Sequence, residues 1–163
     1  QKLEEECQRQ EREFLAGKEE FLKKFEQERT HSLIGFCVMG GIFSEGIDLT
    51  EDKLIGAMII GTGLPQVCLE RELLKYYFDR KNLNGFDYAY LYPGMNKVLQ
   101  SAGRVIRTDQ DRGVITLLDD RFMDRQCQEV FPREWSDFQI CNSENIEEKI
   151  ANFWKAEEQT DTK

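Results

Sequence analysis

Gln100, Arg104 and Arg107 are the residues of this chain best suited to chemistry. At ~100° per residue a helix would put this amide and these two guanidiniums on one face, with Val98, Leu99, Ala102, Val105 and Ile106 on the opposite, buried one. Each guanidinium is planar and permanently charged, and each donates two parallel hydrogen bonds, so a pair three residues apart suits a phosphate. Gly103 beside them lets a ligand or backbone approach closely. An amphipathic surface helix shows the same pattern, so the fork becomes a site only through its surroundings. The helix is expected to end near Thr108.

A second set of polar groups follows the apolar run Ser32–Met39. Residues 40–49 carry three glycines, the hydroxyl of Ser44 and the carboxylates of Glu45 and Asp48. Glu45 and Asp48 can hold an arginine or a ribose hydroxyl by charge-assisted hydrogen bonds, and Gly46 between them permits an unusual backbone. A polar loop kept soluble by its acids is the plainer alternative. Neither GxGxxG nor GxxxxGK[ST] is present, so this is not a phosphate-cradling loop of the usual kinds.

Positioning these groups requires a scaffold, and apolar runs alternating with helical stretches predict α/β architecture with a mostly parallel sheet. Four strands are expected: Ser32–Met39, buried on both faces and carrying Cys37; Ile55–Ile60; Tyr88–Tyr92; and Gly113–Leu118. A helix from about Val67 to Arg80, with Leu69, Leu73, Leu74 and Tyr77 at helical spacing, would cross over the sheet. Pro93 fits the first turn of the fork helix, where its missing N–H does no harm. Right-handed crossovers would align the loops after the strands on one edge, the place where open α/β folds bind ligands. Ser44–Asp48 and Arg104–Arg107 are expected as neighbours there.

Gly41–Leu49 resembles motif V, and Gln100–Arg107 resembles motif VI, of the DinG/XPD-type superfamily-two DNA helicases. The order agrees too: motif V, a strand ending in Gly63-Leu64-Pro65, a helix, Tyr92-Pro93-Gly94, motif VI, then a strand ending in Asp119-Asp120-Arg121-Phe122. The resemblance covers roughly Ser32 to Pro132 and is strongest for the bacterial DinG-like members. It implies the second of two RecA-like motor domains, with helices on both faces of the sheet, clamping ATP and Mg2+ against a first RecA-like domain. Arg104 and Arg107 would then be catalytic, meeting the nucleotide phosphates, one of them as an arginine finger. Gln100 and Gly103 would help order the nucleotide site. Glu45, Gly46 and Asp48 would link nucleotide state to the DNA-tracking surface, and Ser44 would touch a DNA phosphate. Single-stranded and forked DNA are the implied partners, and travel from five-prime to three-prime the implied direction.

The sequence lacks Walker A, the acidic box, a motif IV strand and a cluster-binding cysteine set. It therefore reads as most of a second motor domain, inactive and monomeric alone. Any 4Fe-4S cluster of the full-length family would lie outside this chain. The expected organisation is an amphipathic helical segment at 1–31, the RecA-like core at 32–141, a C-terminal helix at 142–157 and a polar tail at 158–163. The N-terminal segment reads as one helix or two, broken near Gly17. Ile146, Ile150, Phe153 and Trp154 mark the C-terminal helix, with Asn142 or Ser143 as its cap.

The 163 residues suffice for one domain with a core, and 40% hydrophobic with 33% charged is ordinary for a globular chain. No apolar run reaches the ~20 residues of a membrane span. The five cysteines show no CxxC spacing, which points to a reducing cytoplasm, at the bacterial nucleoid if the resemblance holds. A single His31 excludes a histidine cluster. A hydrolase built on Ser44 fails because GxSxG is absent and His31 precedes the serine. The net charge of −9 opposes strong nucleic-acid affinity, which comes largely from Lys and Arg at phosphates. It favours the alternative of a non-catalytic α/β interaction module with acidic flanks.

Overall fold

The structure, a computed structural model, describes residues 16–28, 30–41, 49, 53–108 and 110–158. Two compact units divide at Gln128 and Glu129.

Among the described residues the first unit holds two parallel strands, β1 (Gly56–Ile60) and β2 (Val114–Leu118), paired in register from Gly56 opposite Val114 to Ile60 opposite Leu118. Helix α1 spans residues 16–26, with Gly17 inside it, Phe25 buried and Phe21 half-buried. Its outward acids and bases stay in water, among them the i,i+4 pair Glu20–Lys24 at 3.3 Å.

Residues 32–38 join no sheet among the described residues, contrary to the buried strand expected. Ile34 is 77% exposed and Phe36 91%, and Cys37 is exposed as well. Gly35, itself exposed, passes close to α1, where an added Cβ would stand 2.6 Å from the Phe21 ring. An apolar run is a buried strand only where a neighbour completes its ladder, and here the run rests on a helix instead. It ends in a tight turn closed by the Gly41 N–H on the Val38 carbonyl (3.0 Å), with Gly40 supplying the positive φ of 79°.

After β1, α2 (Leu69–Asp79) forms within the expected bounds but buries no residue fully. Leu69, Leu73 and Tyr77 face outward rather than onto the sheet. The expected strand at Tyr88–Tyr92 is instead a π-helical turn, Asp87–Leu91, running directly into α3 (Tyr92–Ala102). Alternating aromatic and small residues suit a strand, yet Ala89, Tyr90 and Leu91 are all buried in succession, which a turn packed on two sides achieves. Leu91, Met95, Val98 and Ala102 then recur at helical spacing along the buried face of α3. Met95 and Val98 are wholly enclosed, each contributing about 1.5–3 kcal/mol through burial.

Helix α3 lies close against the loop after β1. Gly63 adopts a φ of 64°, and a Cβ on Gly94 would come 2.6 Å from the Thr62 carbonyl oxygen, so only glycine permits this approach. The first unit closes with a 3₁₀ turn at Asp120–Met123, whose Phe122 is buried, and the short α4 (Arg125–Gln128).

In the second unit Phe131 meets Trp135 and Phe138 edge-on at 5.3 and 5.9 Å, around a 3₁₀ turn at Arg133–Trp135. Helix α5 (Ile146–Glu158) follows. Asn142 caps it as expected: its Oδ1 accepts from the Asn145 N–H at 3.1 Å, while Asn145 Oδ1 accepts from the Asn142 N–H at 2.9 Å.

Candidate functional site

Helix α3 stops earlier than its apolar periodicity predicts. Gly103 caps it, donating to the Leu99 carbonyl at 2.9 Å, and the chain tightens through Arg104 N–H to Ser101 and Val105 N–H to Ala102 at 3.3 and 3.0 Å. Glycine after the last periodic residue is a common helix terminator, here read from sequence only as room for a ligand. Gln100 therefore lies on the last helical turn and is exposed, Arg104 is half-buried in the tightened turn, and Arg107 is exposed beyond it. The buried face changes accordingly. Val105 is buried as expected, but Ile106, beyond the helix, is 48% exposed.

Val105 fixes where this turn sits. A Cβ on Gly113 would collide with Val105 Cγ1 and stand 2.9 Å from the Ile55 carbonyl, so the turn lies beside the starts of both strands. The four candidate residues Gln100, Gly103, Arg104 and Arg107 thus belong to one short segment leading into β2. Ser44, Glu45, Gly46 and Asp48 lie outside the described residues.

Sequence reasoning missed the anchor of this segment, Asp111. Its Oδ2 accepts hydrogen bonds from the backbone N–H of Arg107 at 2.8 Å and of Thr108 at 2.7 Å. Asp111 is only 8% exposed, and its own N–H returns to the Thr108 carbonyl at 3.3 Å. Thr108 Oγ1 also accepts from the Gln110 N–H at 3.2 Å. An aspartate capturing nearby backbone N–H groups is a familiar local device, and Thr108 followed by Asp111 before Gly113 is its available signal.

The opposite edge of the sheet holds the loops that leave the strands. Gly61 donates to the Leu118 carbonyl at 3.1 Å, bringing the ends of β1 and β2 together. The glycine loop begins at this edge: a Cβ on Gly63 would stand 3.0 Å from Met39 Sδ, and one on Gly40 would stand 3.3 Å from Lys97 Cδ. The arginine turn precedes β2 and so lies at the other edge; Ser44–Asp48, expected as its neighbours, lie outside the described residues. Asp119, just after β2, grips Arg121 through both oxygens, with Nε at 2.8 Å and Nη2 at 2.6 Å. The same carboxylate accepts from the Arg121 N–H at 3.0 Å. The guanidinium's hydrogen bonds, followed by the backbone one, hold the Asp119 carboxyl down to about 2.

The guanidiniums of Arg104 and Arg107 and the amide of Gln100 are donor types suited to phosphate oxygens, carried on one short segment. Among the described residues no helix is long and apolar enough to cross a membrane.

The sequence profile of the helicase C-terminal domain matches residues 1–138. The regulator of telomere elongation helicase 1 homolog of Caenorhabditis briggsae is 32% identical over 136 residues, 77% of this chain and 14% of that protein. Its counterpart in Arabidopsis thaliana is 32% identical over 123 residues, 67% of this chain and 12% of that one. The ATP-dependent DNA helicase DinG of Photobacterium profundum is 36% identical over 88 residues, 53% of this chain and 13% of the relative. The chain thus spans only a small part of each of these relatives.

Proposed function

The chain belongs to the helicase C-terminal domain family, and on that footing we propose that it is the second RecA-like motor domain of an ATP-dependent DNA helicase. The observation that supports this reading is that Gln100, Arg104 and Arg107 fall in one segment running from the last turn of α3 toward β2, with the Arg107 backbone tied down by Asp111.

ATP with its Mg2+, when bound, would supply the phosphoanhydride that an attacking water cleaves to ADP and phosphate. The residues of this chain act electrostatically. Arg107, exposed at the end of the turn, donates to the oxygens on which charge accumulates as the phosphoryl group transfers, lowering the barrier without covalent participation. Arg104, half-buried one turn earlier, holds phosphate in the ground state. Gln100 orients the arginines or an oxygen of the nucleotide through its amide. The Walker A lysine and the magnesium carboxylate come from the first motor domain of the complete polypeptide. Glu45, Gly46 and Asp48 relay nucleotide state, and Ser44 contacts a DNA phosphate, as the resemblance to motif V implies. Motion along single-stranded DNA from five-prime to three-prime and unwinding of forked duplex follow from the same resemblance.

The competing reading, a non-catalytic interaction module, draws on the net charge of −9. Steady-state ATPase measurements on the complete polypeptide separate the two. Arg104→Ala in a motor raises KM for ATP as well as lowering turnover, whereas in a module neither changes.

A further inference from the structure

We propose that Asp111 is the positioning residue for Arg107, its carboxylate fixing the backbone that sets where the Arg107 guanidinium meets phosphate. This rests on the motor reading above and adds to it a residue outside the motif VI segment.

Arg107 lies beyond α3, so no helical hydrogen bond holds its backbone. Asp111 supplies the substitute. One carboxylate oxygen takes the N–H groups of both Arg107 and Thr108, at 2.8 and 2.7 Å, from a site only 8% exposed. Hydrogen bonds to a carboxylate are shorter and about twice as strong as neutral ones, and a sheltered carboxylate is costly unless it makes them. The return bond from the Asp111 N–H to Thr108 closes a small ring at 108–111. On the other side Val105 is lodged against Gly113. The segment is thus pinned by the Val105 side chain before Arg107 and by the Asp111 carboxylate at the Arg107 backbone itself.

A misplacement of about 1 Å in a reacting constellation can cost about 10²-fold in rate. Arg104 is tied instead to Ser101 at the end of α3, so loss of Asp111 should disturb Arg107 selectively.

The test is a double-mutant cycle on DNA-stimulated ATP hydrolysis by the complete polypeptide, with Asp111→Ala and Asp111→Glu made in the wild-type and Arg107→Ala backgrounds. In the wild-type background either change should lower kcat, by about 10²-fold for Ala, with KM for ATP near the parent's. In the Arg107→Ala background the same changes should lower kcat no further. Asp111→Asn, which keeps an acceptor oxygen, should retain most of the rate. Asp111→Glu keeps the charge and serves if the alanine variant fails to fold. Equal fractional losses in both backgrounds, or wild-type kcat for both variants, would overturn the proposal. Wild-type turnover by Arg107→Ala alone would instead overturn the motor reading on which it stands.

Discussion

Arg71 donates from Nη1 to the carbonyl oxygen of Ala89 at 2.6 Å, and Ala89 stands four residues before Pro93. In an α-helix that carbonyl would receive the N–H of residue 93, which proline does not have. The α2 guanidinium takes its place, so a proline inside a continuous helical segment leaves no acceptor stranded. Tyr90 OH to Glu72 at 2.6 Å and Phe78 stacked on Tyr88 at 4.0 Å complete the attachment of α2 to the π-helical turn.

Arg71→Met keeps much of the apolar stem and removes the donor. It should destabilise the domain by about 1–3 kcal/mol, the usual cost of a sheltered acceptor left unsatisfied. Urea unfolding checks this, and an unchanged midpoint would show that water serves Ala89 equally well.

The Tyr90 phenol is pushed up to about 12, mainly because it donates to Glu72. A folded pKa above the ordinary value near 10 means that the native state holds the proton longer. The stabilisation is complete below about pH 10 and is lost as pH rises through the folded value. Thermal melts from pH 9 to 12 should show this decline in the parent and a shallower one in Tyr90→Phe. Parallel curves would refute the assignment.

Gly94→Ala should destabilise by about 1–3 kcal/mol, the range for forcing atoms into a packed contact. The new Cβ would press on the Thr62 carbonyl, which cannot swing aside as a side-chain end can. An unfolding midpoint at or above that of the parent would show that the loop at 61–65 yields easily.

Strands β1 and β2, helix α2 and the capped α5 were legible because each combines a periodic apolar pattern with a clear stop signal. Tyr88–Leu91 was not, since the decisive partner, Arg71, is 18 residues away from Ala89 and contributes a hydrogen bond that no local pattern encodes. Residues 32–38 show the reverse failure: composition suited to a strand, with no ladder to join among the described residues. At the candidate site, candidate residues could be named from the sequence, but their arrangement could not. Gly103 ends the helix three residues before Ile106, so positions assigned by extending the 3.6-residue period drift off their faces. Asp111 escaped notice because its role lies in backbone hydrogen bonds across a short turn.

DNA binding by this chain alone should be weak and steeply dependent on salt, because a polypeptide of net charge −9 neutralises few phosphates. Fluorescence anisotropy with a single-stranded oligonucleotide at increasing salt measures it. Tight binding that persists at high salt would reveal a specific DNA-binding surface on this chain.

The most direct test of the motor assignment is the turnover number for DNA-stimulated ATP hydrolysis in the complete polypeptide carrying Arg107→Ala or Arg107→Lys. Removing an arginine finger costs about 10³-fold or more, and an ammonium does not restore the planar bidentate contact. Both variants should therefore lose activity on that scale while unfolding at nearly the parent temperature, since Arg107 is exposed. Wild-type turnover in either variant would contradict the assignment and leave the arginine turn as a solvated surface.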